Sequence, residues 1–197
     1  MTSDSSSNQD KAVLVLLSGG IDSTACVEFY LSQQSSVNAL FVEYGQLSAK
    51  QEIAATKRIC YHYGISLSIV SCNGAQGKTS GLIQGRNAFL LCTALMEFGK
   101  PSGIIAIGVH AGTSYSDCSK RFLKTVQVIF DDYADGCIRV GAPFLEWTKR
   151  DIWDYCLDRQ VPLQLTYSCE LGQNQPCGQC LSCRDLESLR ALSKLNT

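Results

Sequence analysis

The chain predicts an α/β fold: a doubly wound, mostly parallel sheet followed by a small metal-binding extension near the C-terminus. Three observations lead there. Short apolar runs alternate with segments of helical apolar spacing along most of the 197 residues. The first run passes directly into a glycine-rich turn, LSGGIDST at 17–24, of the kind that opens a helix at the carboxyl end of a parallel strand. Four cysteines, Cys169, Cys177, Cys180 and Cys183, then crowd together with C-x7-C-x2-C-x2-C spacing.

Residues 12–17 read as a central strand, and 23–34 as a helix through Cys26, Val27, Phe29, Tyr30 and Leu31. A second strand follows at 38–44. Helical spacing returns at 50–63 through Ile53, Ile59, Cys60 and Tyr63, and Gly64 suits the end of that helix. A third strand is expected at 65–70. The segment AFLLCTALMEF, 88–98, is apolar nearly all round and predicts a helix buried on every side. A fourth strand at 103–109 leads to a helix at 119–133 that turns Phe122, Leu123, Val126, Ile129 and Phe130 inward. Thr148 with Asp151 has the form of a capping box opening a further helix, and 186–195 is expected to pack as the last one. Three parts result: a solvated tail at 1–10, an α/β domain at 11–165 and a metal-binding segment at 166–197.

Composition narrows the function. A net charge of −1 does not indicate a basic surface, though it leaves room for a local patch, and direct nucleic-acid binding is not expected. No apolar run approaches the length of a membrane span. The first ten residues are polar and lack the features of a signal peptide, so a cytoplasmic location is expected. Eleven cysteines, an odd number without a secretion signal, argue against a disulfide framework. Most of those outside the cluster (Cys26, Cys60, Cys72, Cys92, Cys118, Cys137 and Cys156) fall on apolar periodicity and read as small buried hydrophobes.

Chemistry concentrates in two places. Gly19 and Gly20 let backbone N–H groups surround a ligand oxygen, and a helix starting near Asp22 or Ser23 adds its positive end. Ser18, Ser23 and Thr24 offer hydroxyl donors. Phosphate or pyrophosphate is the fitting guest. Asp22 would repel it unless a divalent cation lies between them, so Asp22 is assigned to Mg²⁺. A second stretch, CNGAQGKT at 72–79, nearly spells a phosphate loop, but it lacks the first glycine and no helix pattern follows; it reads as a flexible loop. The four clustered cysteines satisfy tetrahedral Zn²⁺ and leave no open position, which predicts one structural zinc, with Gly178 easing the turn.

SGGIDST resembles the signature of the PP-loop pyrophosphatase superfamily, whose members adenylate a substrate with ATP and release pyrophosphate. Together with the C-terminal cysteines, the chain is similar to the 7-cyano-7-deazaguanine synthase (QueC) family. YGQ at 44–46, GRN at 85–87 (Gln84 replacing a proline), YSDC at 115–118, APFLEWTKRDIWDY at 142–155 and LTYSC…CGQCLSCR through Arg184 extend the likeness. The resemblance implies a PP-loop, HUP-like fold using ATP, Mg²⁺ and Zn²⁺. It implies adenylation of the carboxylate of 7-carboxy-7-deazaguanine, then ammonia attack to an amide and a second activation to the nitrile, carried out by a homodimer. Residue by residue, Leu17, Ser18, Gly19, Gly20, Asp22, Ser23, Thr24 and Tyr44 fall at the nucleotide. Lys149 and Arg86 are the cations that would neutralise developing phosphate charge. A solvated lysine at a helix start and a surface arginine remain the other readings of those two. Asp117 would face the deazaguanine edge or an amine, or else cap a loop.

The chain departs from the family where the acyl acceptor would sit. Gln46-Leu47-Ser48 stands for Q-R-H, GVHAGTSYSD stands for G-V-C-E-T-D-F-S-G-Y, and the segment before Gly85 is short. A second reading follows: a QueC-like enzyme that stops at the amide or joins the activated base to an amine of a partner protein, as the placement of some relatives in anti-phage operons suggests. A third is a non-catalytic, zinc-stabilised nucleotide-binding module. His62 reads as surface or packing; His110, just past the fourth strand, is a site candidate by proximity alone.

Overall fold

The computed structural model describes residues 11–72, 83–110 and 115–195. The expected tail at 1–10 and nearly all of the 72–79 loop lie outside the described residues, as does most of the short segment before Gly85. The order is β1 (Ala12–Leu16), α1 (Ile21–Leu31), β2 (Ser36–Glu43), α2 (Ala49–Tyr63), β3 (Leu67–Ser71), α3 (Arg86–Glu97), β4 (Gly103–Ile107), α4 (Lys120–Ala134), β5 (Ile138–Gly141), α5 (Lys149–Asp158) and α6 (Leu181–Leu195). The five strands form one sheet in the order β3-β2-β1-β4-β5, and every pairing is parallel.

Alternation along β1 builds two cores. Val13, Val15 and Leu17 pack with Ala25 and Val27 of α1, Ile59 of α2, Ile152 of α5 and Leu189 of α6. Leu14 and Leu16 point the other way, to Leu91 and Ala94 of α3 and Val126 and Phe130 of α4. Because each helix covers the sheet with one stripe, two expectations need correction. α3 buries Asn87, Leu91 and Ala94 but leaves Phe89 41% and Met96 83% exposed, so it is not enclosed on every side. α4 buries Val126 and Phe130, while Ile129 faces outward. β5 has no counterpart among the expected strands; its four residues, IRVG, are too few and too mixed to show a period. Gly64 ends α2 in the left-handed conformation, as expected.

Of the seven scattered cysteines, Cys26, Cys60 and Cys156 are buried. Burial pushes their thiols up, Cys60 to about 11 and Cys156 to about 12, which keeps them protonated and inert. Cys72 and Cys118 are half-buried against the second core, and Cys92 and Cys137 are exposed, so the small-hydrophobe reading fails for those last two. No helix among the described residues is long and apolar enough to cross a membrane.

Phe144, fully buried, meets the rings of Phe29 at 5.8 Å, Trp147 at 5.0 Å and Tyr155 at 5.7 Å. This cluster seats α5 against α1. Phe144→Ala is expected to cost about 3–5 kcal/mol, read from the midpoint of urea unfolding.

Candidate active site

The glycine turn sits at the carboxyl end of β1, the sheet's central strand. Leu17 is buried, and its carbonyl accepts from Thr56 Oγ1 at 3.3 Å. Gly19 has φ +79°, and a Cβ there would stand 2.9 Å from the Glu52 carbonyl oxygen. Only glycine lets α2 lie this close to the loop. Gly20 occupies the N-cap of α1 and has no side chain with which to cap it. The first-turn amides are therefore left for an external anion. Ser18 is exposed, its hydroxyl 3.1 Å from that of Ser23. Ser23 and Thr24 are buried and donate to the Gly20 carbonyl at 3.1 and 2.7 Å. The sequence places all three hydroxyls at the ligand; the structure turns Thr24 inward, where it braces the loop.

Asp22 lies in the first turn of α1. Lys149 Nζ donates to both of its carboxylate oxygens, at 2.6 and 2.5 Å, across 127 residues of chain. The capping box sets where α5 begins: Thr148 N donates to Asp151 Oδ2 at 2.8 Å and Asp151 N to Thr148 Oγ1 at 3.2 Å. That start aims Lys149, the first residue of α5, at the glycine loop. His110 Nε2 stands 3.8 Å from Asp22 Oδ2. A carboxylate at the mouth of an uncapped helix fits a divalent cation shared with phosphate oxygens.

Beside it, the end of β2 meets the start of α3. Burial raises the Tyr44 phenol, while the Arg86 guanidinium lowers it by charge and by a hydrogen bond. Asp117 is buried, and its Oδ2 accepts from the Asn87 backbone N–H at 3.3 Å. Asn87 Nδ2 returns a bond to the Asp117 carbonyl at 3.1 Å. These two bonds hold Asp117 against the first turn of α3, next to Arg86. His62 is exposed on α2, its ring edge-on to Tyr63.

The four C-terminal sulfurs all lie within 4.8 Å of one another, with Cys177 and Cys183 at 3.9 Å. Tetrahedral zinc with bonds near 2.3 Å sets sulfurs about 3.8 Å apart, so the cluster fits that ion. Backbone N–H groups of Gln179 and Cys180 point at Cys177 Sγ, at 3.4 and 3.3 Å, and lower its titration. Burial pushes Cys169 up, but N–H groups of Cys177 and Leu171 and neighbouring side chains outweigh it and bring Cys169 to about 6. Burial holds Cys183 up at about 12.

Over residues 11–85 and 73–192 the chain matches the family described as queuosine biosynthesis protein QueC. It belongs to the QueC family. Two curated 7-cyano-7-deazaguanine synthases illustrate the distance. That of Prochlorococcus marinus (strain NATL1A) is 28% identical over 89% of this chain and 91% of its own length. That of Synechococcus sp. (strain CC9311) is 29% identical over 89% and 90%. Among solved structures, NMN synthetase from Francisella tularensis superposes with a TM-score of 0.52 at 16% identity, covering 94% of this chain and 77% of that one, a likeness of fold.

This QueC-family protein also carries a residue absent from the sequence-based site, Glu52. Its carboxylate accepts from Ser48 Oγ at 2.7 Å and from Gln46 Nε2 at 3.0 Å. Gln46 in turn accepts from Tyr44 N at 2.8 Å. The signal was available: YGQ marks the end of β2, and Glu52 follows on the first turn of α2. Burial pushes the Glu52 carboxyl up, and Ser48, Gln46 and Arg86 draw it part of the way back. A raised carboxyl binds its proton more tightly folded than unfolded, so stability falls as pH rises through that titration. Glu52→Gln is therefore expected to raise the unfolding midpoint at mildly alkaline pH. The gain should shrink as pH falls towards the ordinary carboxylate range and be gone below it, measured by scanning calorimetry. A variant less stable than wild type at alkaline pH would show that Arg86 compensates the charge.

Proposed function

We propose that this QueC-family protein is an ATP-dependent, AMP-producing synthase that activates the carboxylate of 7-carboxy-7-deazaguanine and passes it to ammonia. The observation that carries the reading is Asp22 at the uncapped start of α1, reached by Lys149 from the opposite end of the domain. Backbone N–H groups of the glycine loop hold the departing pyrophosphate. Mg²⁺, when bound at Asp22, supplies charge neutralisation for the phosphates. Lys149 and Arg86 face the charge that builds as the substrate carboxylate attacks the α-phosphorus. Ammonia displaces AMP from the acyl-adenylate to give the amide. A second ATP activates the amide oxygen, which leaves with AMP as the nitrile forms. Cys169, Cys177, Cys180 and Cys183 hold a structural zinc in the segment 166–197. The protein acts in the cytoplasm as a homodimer, without direct contact to nucleic acid.

Zinc-loaded protein incubated with the acid, ATP, Mg²⁺ and ammonia should yield AMP, pyrophosphate and the amide or nitrile by mass spectrometry. Absence of AMP and of acid consumption would overturn the reading. AMP formed together with the base on a protein amine would move the acceptor from ammonia to a partner.

A further inference from the structure

The C-terminal segment does more than follow the α/β domain; it touches the phosphate loop itself. Tyr167 N–H donates to the Gly19 carbonyl at 2.8 Å, and Gly20 approaches the Tyr167 carbonyl. Five residues on, Gly172 has φ +65°, and a Cβ there would stand 2.1 Å from the Leu47 carbonyl oxygen. Asn174 accepts from Gln51 Nε2 at 2.8 Å, Leu165 accepts from Arg58 at 3.3 Å, and Tyr167 Oη donates to the Gln173 carbonyl at 2.8 Å. The segment 165–174 is thus a strap lying on the glycine loop, on α2 and on the turn that leads into α2.

The far end of the strap is the cysteine cluster. Cys169, buried, lies two residues past Tyr167, and Glu170 accepts from Ser182 N and Oγ at 3.1 and 2.8 Å at the start of α6. α6 is seated by Leu189 in the core and by the Trp153 Nε1 bond to Ser193 Oγ at 2.6 Å. Trp153 belongs to α5, the helix that presents Lys149. The cluster therefore joins the element holding Gly19 to the helix presenting Lys149.

The peptide bond makes this contact directional. In a trans peptide the C=O and N–H point in opposite directions. A Gly19 carbonyl pinned on Tyr167 fixes the Gly20 N–H toward the exposed Ser18 side of the loop, where it lies 3.4 Å from Ser18 Oγ.

We propose that the 165–174 strap is a positioning element for the phosphate loop, and that the four-cysteine centre acts on nucleotide binding through it. The proposal rests on the nucleotide reading above. Gly172→Ala forces the strap off Leu47 while leaving all four cysteines in place. In the zinc-loaded full chain it should weaken binding of a non-hydrolysable ATP analogue with Mg²⁺ about tenfold, the scale of one well-made hydrogen bond. Amide exchange at 17–24 should quicken in the absence of nucleotide, with exchange in β1 and β4 unchanged. Zinc-stripped wild type should show the same two changes. Asn174→Ala, an exposed change that removes only the Gln51 contact, should shift both readouts in the same direction by a smaller factor, and it decides the matter if Gly172→Ala does not fold. Unchanged affinity and unchanged exchange at 17–24 in a folded, zinc-loaded variant would overturn the proposal. If wild type itself fails to bind the analogue, the nucleotide reading falls, while the exchange measurement still decides whether the strap holds the loop.

Discussion

Asp22→Asn is expected to lower kcat/KM for AMP formation by about a hundredfold to a thousandfold, the loss that follows removal of one preorganised charge-stabilising group. The side chain keeps its shape and loses its charge. Two consequences should separate it from a folding defect. The Mg²⁺ concentration needed for half-maximal rate should rise, because the only carboxylate in the first turn of α1 is gone. The unfolding midpoint should change little, since Asp22 is partly exposed and its pair with Lys149 is screened. Lys149→Met should cost a similar factor without moving the Mg²⁺ requirement. Groups acting as one unit do not add, so the double variant should be little worse than the poorer single one. A kcat/KM within threefold of wild type for Asp22→Asn would remove this residue from the chemistry.

Much of this site could be read from the residues, for a physical reason. The glycine turn is local: strand, two glycines, Asp and hydroxyls lie within one stretch, and each needs only its neighbours to be interpreted. The same holds for the cysteine spacing and the Thr148–Asp151 box. Pairings across the fold were less accessible. That Lys149 reaches Asp22 follows from α5 packing on α1, which no local pattern encodes; resemblance alone placed them together. Asp117 shows the limit from the other side. A carboxylate in a loop suits a ligand amine or a loop cap equally well, and its bond from the Asn87 backbone N–H is visible only in the fold. A glutamate in the first turn of a helix is ordinary; Gln46 and Ser48 lie close to Glu52 in the chain, but its burial and the nearness of Arg86 are tertiary. α3 misled for the opposite reason. Its apolar residues occupy more of the helix than the sheet can cover, so periodicity overstated its burial.

Removing one sulfur should have the other large effect. Cys183→Ala is expected to weaken zinc binding by about a hundredfold to a thousandfold, since a site worth ~10–16 kcal/mol divides that among four ligands. Cys183 is itself buried and opens into α6, so its loss should also free Leu189 and the Trp153–Ser193 bond, seen as faster amide exchange over 181–195. The pH dependence has a defined sign. In the metal-free protein Cys183, held up at about 12, carries a proton at neutral pH, so zinc must displace it and capture releases acid. Cys169, brought down to about 6, is already a thiolate there and offers the first point of attachment. As pH falls through that value Cys169 takes up a proton too, and zinc must then displace one more. Zinc affinity measured against a competing chelator should therefore decline from neutral pH downward and fall more steeply below about 6, where the extra proton enters the balance. An affinity independent of pH across that range would mean that the sulfurs are not what the metal displaces protons from.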